Sequence, residues 1–147
     1  MIQLGLIGLL GLFAFTPVML AGERFFIDTE KSVIIDQQTG LMWPLKDNGS
    51  DISWPAAHEY CDQFNQGGFD DWRMPTQDEL ATLYRLEAAQ TTEYYIIEKI
   101  SITACCLWAK DNRSSKVASF DFEYGNRDWG HAQSTVDARV LPVRYLK

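Results

Sequence analysis

The chain has 147 residues, of which 46% are hydrophobic, 13% are aromatic and 22% are charged, and its net charge is −7. This length fits one domain, and the apolar content is too high for a disordered chain. The acidic balance argues against a general nucleic-acid binder and against a polybasic membrane-surface protein, so no nucleic-acid partner is expected. Three cysteines are too few for a disulfide-dense miniprotein.

The first 22 residues carry no charged side chain, whereas all charged residues lie from Glu23 onward. A leucine-rich run followed by Pro17 and then Ala21-Gly22 predicts a secretory signal peptide over residues 1–21. The alternative is an uncleaved anchor, because about 20 apolar residues can span a bilayer. Residues 22–147 are then expected to form a single exported domain, periplasmic or extracellular, which is tethered to the inner membrane only if the segment stays uncleaved.

The next part of the chain predicts short strands followed by a helix. Residues 24–28 and 32–36 are rich in β-branched and aromatic side chains, and a turn ending at Gly40 precedes the apolar residues of 41–43. The segment 52–64 predicts the first helix, with Ser53 as N-cap and Pro55 in the first turn. Its apolar face carries His58, which the pattern favours as a satisfied core histidine rather than a base.

A second helix is predicted from a capping box, in which Thr76 is the N-cap and Glu79 stands three residues later. Leu80, Leu83 and Tyr84 continue this helix as one apolar stripe. Strands are predicted at 106–110, 116–122 and 138–146, and a polar, aromatic loop separates the last two from Glu123 to Asp137. The predicted fold is α+β, with two helices packed on short, mostly antiparallel sheets.

Five segments in chain order carry a family resemblance: TGLMW from Thr39, SWPAAHEYC from Ser53, GGFDDWRMPTQDEL from Gly67, LWAK from Leu107 and VLPVR from Val140. Together they resemble the Lcl C-terminal domain family, named after a Legionella collagen-like adhesin and long a domain of unknown function. The resemblance covers about residues 32–145, and its most specific block is the run 71–76 followed by Glu79-Leu80. It implies a C-type-lectin-like fold, an exported location and, in the adhesin itself, binding of sulfated polysaccharide.

The chain departs from the family at its closing motif and in its charge. The family usually ends in Arg-Cys-Val-Arg, whose cysteine pairs with one on the first helix, but Pro142 occupies that position here. Cys61 is therefore expected to pair with Cys105 or Cys106, closing a loop of about 45 residues that would stabilise the fold by roughly 3–4 kcal/mol. Free buried thiols, or a redox or metal site at the adjacent pair, remain open alternatives. The net charge of −7 does not suit a sulfated polyanion.

Several residues near the family motifs are predicted to be structural. Arg73 is expected to form an ion pair with Asp70, Asp71 or Glu79, because an isolated buried guanidinium would be very costly. Aromatic residues in apolar strand contexts belong to the core far more often than to a ligand platform. The predicted structural residues are Trp43, Trp72, Arg73, Pro75, Thr76, Glu79 and Trp108.

The predicted late loop has the composition of a binding site. It combines hydrogen-bond donors and acceptors with an aromatic side chain and two glycines that permit close approach. The candidate ligand-binding residues are Tyr124, Asn126, Arg127, Asp128, Trp129 and His131. In the alternative interpretation, Trp129 folds back to cover the core. No metal or cofactor is predicted, since the motifs of calcium-dependent lectins are missing.

These patterns predict an exported, non-enzymatic binding module that recognises a glycan or a partner protein at the cell envelope. No catalytic residue is assigned, because the sequence has no G-x-S-x-G, no H-E-x-x-H and no phosphate-binding glycine loop. The alternative is a small cysteine-dependent redox or hydrolytic enzyme that uses Cys105 and Cys106.

Overall fold

A computed structural model describes residues 22–87, 93–134 and 136–147 of the protein. The predicted signal peptide, residues 1–21, lies outside the described residues. The elements in chain order are β1 (Phe25–Asp28), β2 (Val33–Asp36), β3 (Leu41–Pro44), α1 (Trp54–Gln63), α2 (Gln77–Ala81), β4 (Cys106–Arg113), β5 (Lys116–Asp121), β6 (Asn126–His131), β7 (Ala138–Arg139) and β8 (Arg144–Tyr145), with a 3₁₀ turn at Gln66–Gly68.

The strands form two four-stranded sheets. The first has the order β1-β2-β3-β8 and the second the order β6-β5-β4-β7. All neighbouring strands are antiparallel except β4 and β7, which run parallel. With the two short helices this is a small α+β fold, which confirms the predicted fold class.

Helix α1 follows the prediction closely. Ser53 occupies the N-cap position in an extended conformation, although its side chain makes no capping hydrogen bond, and Ala57 and Cys61 are buried on the inner face. His58 packs edge-on against Trp54, with 4.3 Å between the ring centroids. Its buried Nε2 has no hydrogen-bond partner among the described residues, so His58 is not the satisfied core histidine that the pattern favoured.

Helix α2 contains the predicted capping box but is shorter than its apolar stripe suggests. Thr76 accepts a hydrogen bond from the backbone of Glu79, and the Glu79 side chain accepts one from the backbone of Thr76. The helix ends at Ala81. Leu83 is nevertheless buried, and Tyr84 forms an isolated backbone β-bridge with Ile96. The last residues of the apolar stripe therefore pack on the core from a turn after the helix.

The predicted late loop contains a strand, because Asn126–His131 forms β6 and pairs with β5 along its full extent. The turn before it is built by Asp121, whose Oδ1 accepts hydrogen bonds from the backbones of Glu123 and Tyr124. Gly125 completes the turn at a φ of +74°, and a Cβ there would lie 2.7 Å from the ring of Tyr84. The backbone N–H and C=O groups of β6 are hydrogen-bonded to β5. The polar side chains of this segment give no sign of that pairing.

The predicted strand 138–146 is divided into β7 and β8, which belong to different sheets. Pro142, which has no backbone N–H, lies between them. The next residue, Val143, exchanges two backbone hydrogen bonds of 2.9 Å with Arg73. The C-terminal segment therefore joins the two sheets and pairs with the segment 71–76.

Three apolar clusters form the core. The main core takes Ile34 and Trp43 from the first sheet and Leu107 and Phe120 from the second, so the two sheets share it. A second cluster lies under α1 and contains Cys61 and Trp108, and a third contains Trp72. Burial of this apolar surface holds the two sheets and α1 together.

Candidate functional site

The structure separates the six predicted ligand-binding residues. Tyr124 lies in the turn between β5 and β6 and is 67% exposed, whereas the other five belong to β6. Because side chains alternate along a strand, Arg127, Trp129 and His131 lie on one face of β6, and Asn126 and Asp128 lie on the other. The six residues therefore do not converge on one site.

Arg127 and Trp129 face the beginning of α2. The guanidinium of Arg127 pairs with the Asp78 carboxylate at 2.8 Å. Trp129 is half-buried, packs against the main core and carries the guanidinium of Arg113 over its ring, 4.2 Å from the centroid. Trp129 thus covers the core, and its outer surface forms one wall of a polar groove.

A β-bulge in β4 brings further polar groups to this groove. The register between β4 and β5 shifts between Ala109 and Asn112, so the two residues between them are not paired with β5. The backbone of Lys110 instead donates to the carbonyl of Pro75 at 2.7 Å, and the Asp111 carboxylate accepts from the backbone of Gln77 at 2.8 Å. The bulge and the first turn of α2 therefore position each other.

Gln77 connects α2 to the sheet. Its side chain is buried, and Nε2 donates to the carbonyls of Ser119 and Asp128 at 2.9 and 3.0 Å. Those carbonyls belong to the paired strands β5 and β6. One amide thus fixes the position of α2 over both strands.

We call this depression the β6 groove. It has a volume of about 350 Å³ and is lined by Gln77, Asp78, Asp111, Asn112, Arg113, Arg127 and Trp129. Its charged lining side chains are two aspartates and two arginines, so the groove carries no excess of either charge. Such a surface offers both donors and acceptors of hydrogen bonds.

Sequence reasoning found Arg127 and Trp129 but missed the other five lining residues. Gln77 and Asp78 lie inside the predicted capping box, and residues 111–113 fall between the predicted strands 106–110 and 116–122, where no element was predicted. The signal in the sequence is the polar run Lys110–Ser115 after an apolar strand, which is typical of a hairpin end. Its position next to α2 depends on the bulge, which has no sequence signature here.

The predicted structural residues all lie in or against the core. Trp43, Trp72 and Trp108 are at most 4% exposed, and each belongs to a different apolar cluster. The indole N–H of Trp72 donates to the carbonyl of Gln66, and that of Trp108 donates to the carbonyl of Ile52. Pro75 is buried beneath the start of α2.

Arg73 forms its ion pair with Glu79, the third of the three candidate partners. Two hydrogen bonds of 2.8 and 2.6 Å join the guanidinium to the two carboxylate oxygens. Burial by itself would raise the pKa of Glu79, but hydrogen bonds from Arg73 and from the Thr76 backbone outweigh it and hold the pKa below its ordinary value. The ion pair therefore has a structural role at the start of α2, the helix that contributes Gln77 and Asp78 to the groove.

The predicted pairing of Cys61 is wrong. The structure joins the neighbours Cys105 and Cys106 in a disulfide and leaves Cys61 as a free thiol. Cys61 is fully buried among apolar residues, and this burial raises its pKa to about 12. The adjacent pair lies half-buried at the start of β4, where its sulfurs are already satisfied by each other.

Comparison with protein families identifies the chain. A family model described as the Lcl C-terminal domain matches residues 32–144. The chain belongs to this family. The match includes both helices, the strands β2 to β7 and the first residue of β8, so the Lcl domain spans the β6 groove and the buried residues of all three apolar clusters described above. No curated protein is significantly similar to the chain.

Among the described residues, no helix has the length and apolar character needed to cross a membrane.

Proposed function

We propose that the protein is an exported, non-enzymatic binding module that recognises a neutral glycan at the cell envelope through the β6 groove. The observation that carries this proposal is the groove itself, in which carboxylate, amide and guanidinium groups meet beside a tryptophan. Membership of the Lcl family supports a binding role, because the family is named for an adhesin domain. The uncharged first 22 residues support export.

The chemistry of the groove suits sugar hydroxyls. Each hydroxyl donates one hydrogen bond and accepts others, and the groove supplies acceptors in Asp78 and Asp111 and donors in Arg113 and Arg127. Asp111 is positioned before any ligand binds, since it accepts a hydrogen bond from the backbone of Gln77, and Arg127 is paired with the exposed Asp78. Preorganised polar groups lose less conformational entropy on binding.

The charge of the groove favours a neutral ligand over a sulfated one. Two arginines are balanced by two aspartates in the lining, and the whole chain carries a net charge of −7. Recognition of a polyanion requires clustered, unopposed Lys and Arg. The sulfated ligand of the adhesin that names the family is therefore not expected here.

A glycan array probed with the protein tests this proposal. We expect binding to one class of neutral sugar, and a loss of at least about tenfold in Arg127→Ala, whose exposed side chain can be truncated without opening the core. Trp129→Ala should lose binding as well. Phe26→Ala is the matched control, because Phe26 is exposed on β1 of the other sheet and should leave binding unchanged.

The other outcomes contradict the proposal in different ways. Binding confined to sulfated glycans and abolished by moderate salt would show that local basic groups outweigh the net charge. An array without any binding would instead direct the search to an envelope protein that copurifies with the domain. Binding that survives Arg127→Ala would place the site outside the β6 groove.

A further inference from the structure

The disulfide between Cys105 and Cys106 lies beside a carboxylate that the fold holds in place. The backbone of Cys106 is paired directly with Asp121 across β4 and β5, and the backbone of Phe122 donates to the carbonyl of Cys105 at 2.7 Å. The two sulfurs and an Asp121 oxygen all lie within 4.8 Å of one another, and the three residues are half-buried. Solvent can therefore reach this cluster.

We propose that reduction of this disulfide opens a metal site in which Cys105, Cys106 and Asp121 bind one thiolate-preferring cation such as Zn²⁺. Two thiolates and one carboxylate are ligands that Zn²⁺ accepts, and a three-residue set leaves a fourth position for water or another ligand. This site is separate from the β6 groove, and it goes beyond the proposed glycan binding.

Hydrogen bonds hold the Asp121 carboxylate in a fixed orientation. Its Oδ1 holds the turn between β5 and β6 through the backbones of Glu123 and Tyr124. Among the described residues, its Oδ2 accepts no hydrogen bond, so one oxygen can bind a cation while the other keeps the turn in place. Such hydrogen bonds orient a ligating carboxylate and strengthen metal binding.

The surrounding charge also favours a cation. Glu93, Glu123 and Asp137 line a cavity of about 240 Å³ together with Cys105. These carboxylates surround the cavity with negative charge, which attracts a divalent cation. They are not assigned as ligands, because the convergent atoms are those of the two cysteines and Asp121.

The redox step balances as a two-electron reduction. An external dithiol transfers two electrons and two protons, so that its own disulfide forms while the bond between Cys105 and Cys106 breaks into two thiols. Zn²⁺ then displaces the two thiol protons into solvent, and the sulfurs separate to roughly 3.8 Å, the distance set by tetrahedral Zn–S bonds. In the oxidised protein no thiolate is available and the site is closed.

Cobalt titration of the protein tests the site directly. The chain is reduced with a phosphine, freed of reductant without oxygen and titrated with Co²⁺, whose thiolate complexes absorb in the near ultraviolet. We expect one Co²⁺ per reduced chain, displacement by Zn²⁺ and no band in the oxidised protein. Cys105→Ser and Cys106→Ser should each abolish the band, and Cys61→Ser should retain it because Cys61 is buried in another cluster.

Two carboxylate variants separate coordination from general attraction. Asp121→Asn keeps an oxygen acceptor for the turn but should weaken Co²⁺ binding by at least about tenfold. Mutation of residues that only hydrogen-bond to a metal ligand already lowers metal affinity by about that factor. Glu123→Gln removes a neighbouring charge and should change affinity by less than about threefold. Four results would each overturn the proposal. They are equal effects of the two variants, a Co²⁺ band in the oxidised protein, loss of the band in Cys61→Ser, and failure of the reduced chain to bind Co²⁺.

Discussion

Single arginine side chains connect parts of the protein that are distant in sequence. Arg144 is 4% exposed, pairs with Asp71 at 2.6 Å and lies over the ring of Phe69 at 3.8 Å. Arg24 donates two hydrogen bonds to the fully buried Asp36 from Nε and Nη2, and Arg73 donates two to Glu79 from Nη1 and Nη2. Charges at such positions are retained only when a partner is present, because an unpaired charge would be strongly destabilising.

Removing the charge of Glu79 tests its ion pair with Arg73 at the start of α2. We expect Glu79→Gln to lower the free energy of unfolding by about 2 kcal/mol, since the half-buried Arg73 loses its carboxylate partner. Urea unfolding at neutral pH measures this difference. Asp78→Asn is the control: its side chain is 88% exposed and its pair with Arg127 should contribute less than about 0.5 kcal/mol. Equal effects in both variants would contradict a special role for Glu79.

The same pair predicts a pH dependence with a definite sign. The pKa of Glu79 is lowered in the folded protein, so its contribution is complete above the unfolded-state value of about 4.3 and is lost as the pH falls through the folded-state value. The stability difference between the wild type and Glu79→Gln should therefore be constant near neutral pH and shrink below about pH 4. A difference that persists in acid would show that packing, not charge, is responsible.

At the scale of elements, α2 depends on its surroundings. It has five residues, and isolated helices of this length are not stable in water. The capping box satisfies part of its first turn, and the bulge of β4 satisfies more through Asp111. The Gln77 side chain then holds the helix against β5 and β6, so α2 and the β6 groove form as one unit.

Truncation of Gln77 should loosen that unit. We expect Gln77→Ala to lower the free energy of unfolding by about 1–3 kcal/mol, because two part-buried hydrogen bonds from its amide to β5 and β6 are lost. Amide hydrogen exchange should rise along β6 more than along β1. Gln66→Ala is the matched control, since its amide donates only to the exposed carbonyl of Lys31. Unchanged exchange in β6 would refute the proposed tether.

At the scale of the whole molecule, no disulfide among the described residues links distant segments of the chain. The bond between Cys105 and Cys106 joins neighbours and closes no loop of appreciable length. Stability therefore comes mainly from the shared apolar core rather than from a covalent cross-link.

Reduction of the disulfide should accordingly cost little. We expect a reductant to change the free energy of unfolding by about 1 kcal/mol or less, because loop-closure entropy is small when the linked residues are adjacent. Denaturant unfolding with and without a metal-free phosphine measures the change. A loss of about 3–4 kcal/mol would instead indicate that Cys61 is cross-linked to the β4 region, as the sequence suggested.

Local patterns predicted most of the elements correctly. β-Branched and aromatic runs identified β1 and β2, and the Thr76–Glu79 box identified the start of α2, since these signals act within a few residues. The length of α2 and the strand β6 were missed. In both cases the deciding interactions are long-range: the bridge between Tyr84 and Ile96, and the pairing of β6 with β5.

The sequence by itself determined the family, the α+β class, the buried tryptophans and the charge that opposes a polyanionic ligand, because each follows from residue identity or short-range spacing. Only the tertiary structure decided the rest. In the structure Cys105 is bonded to Cys106, and Arg73 pairs with Glu79 rather than with Asp70 or Asp71. Five residues that were not predicted lie with Arg127 and Trp129 in one groove. The groove depends on a β-bulge and on strand register, which bring residues together across tens of positions and leave no local pattern.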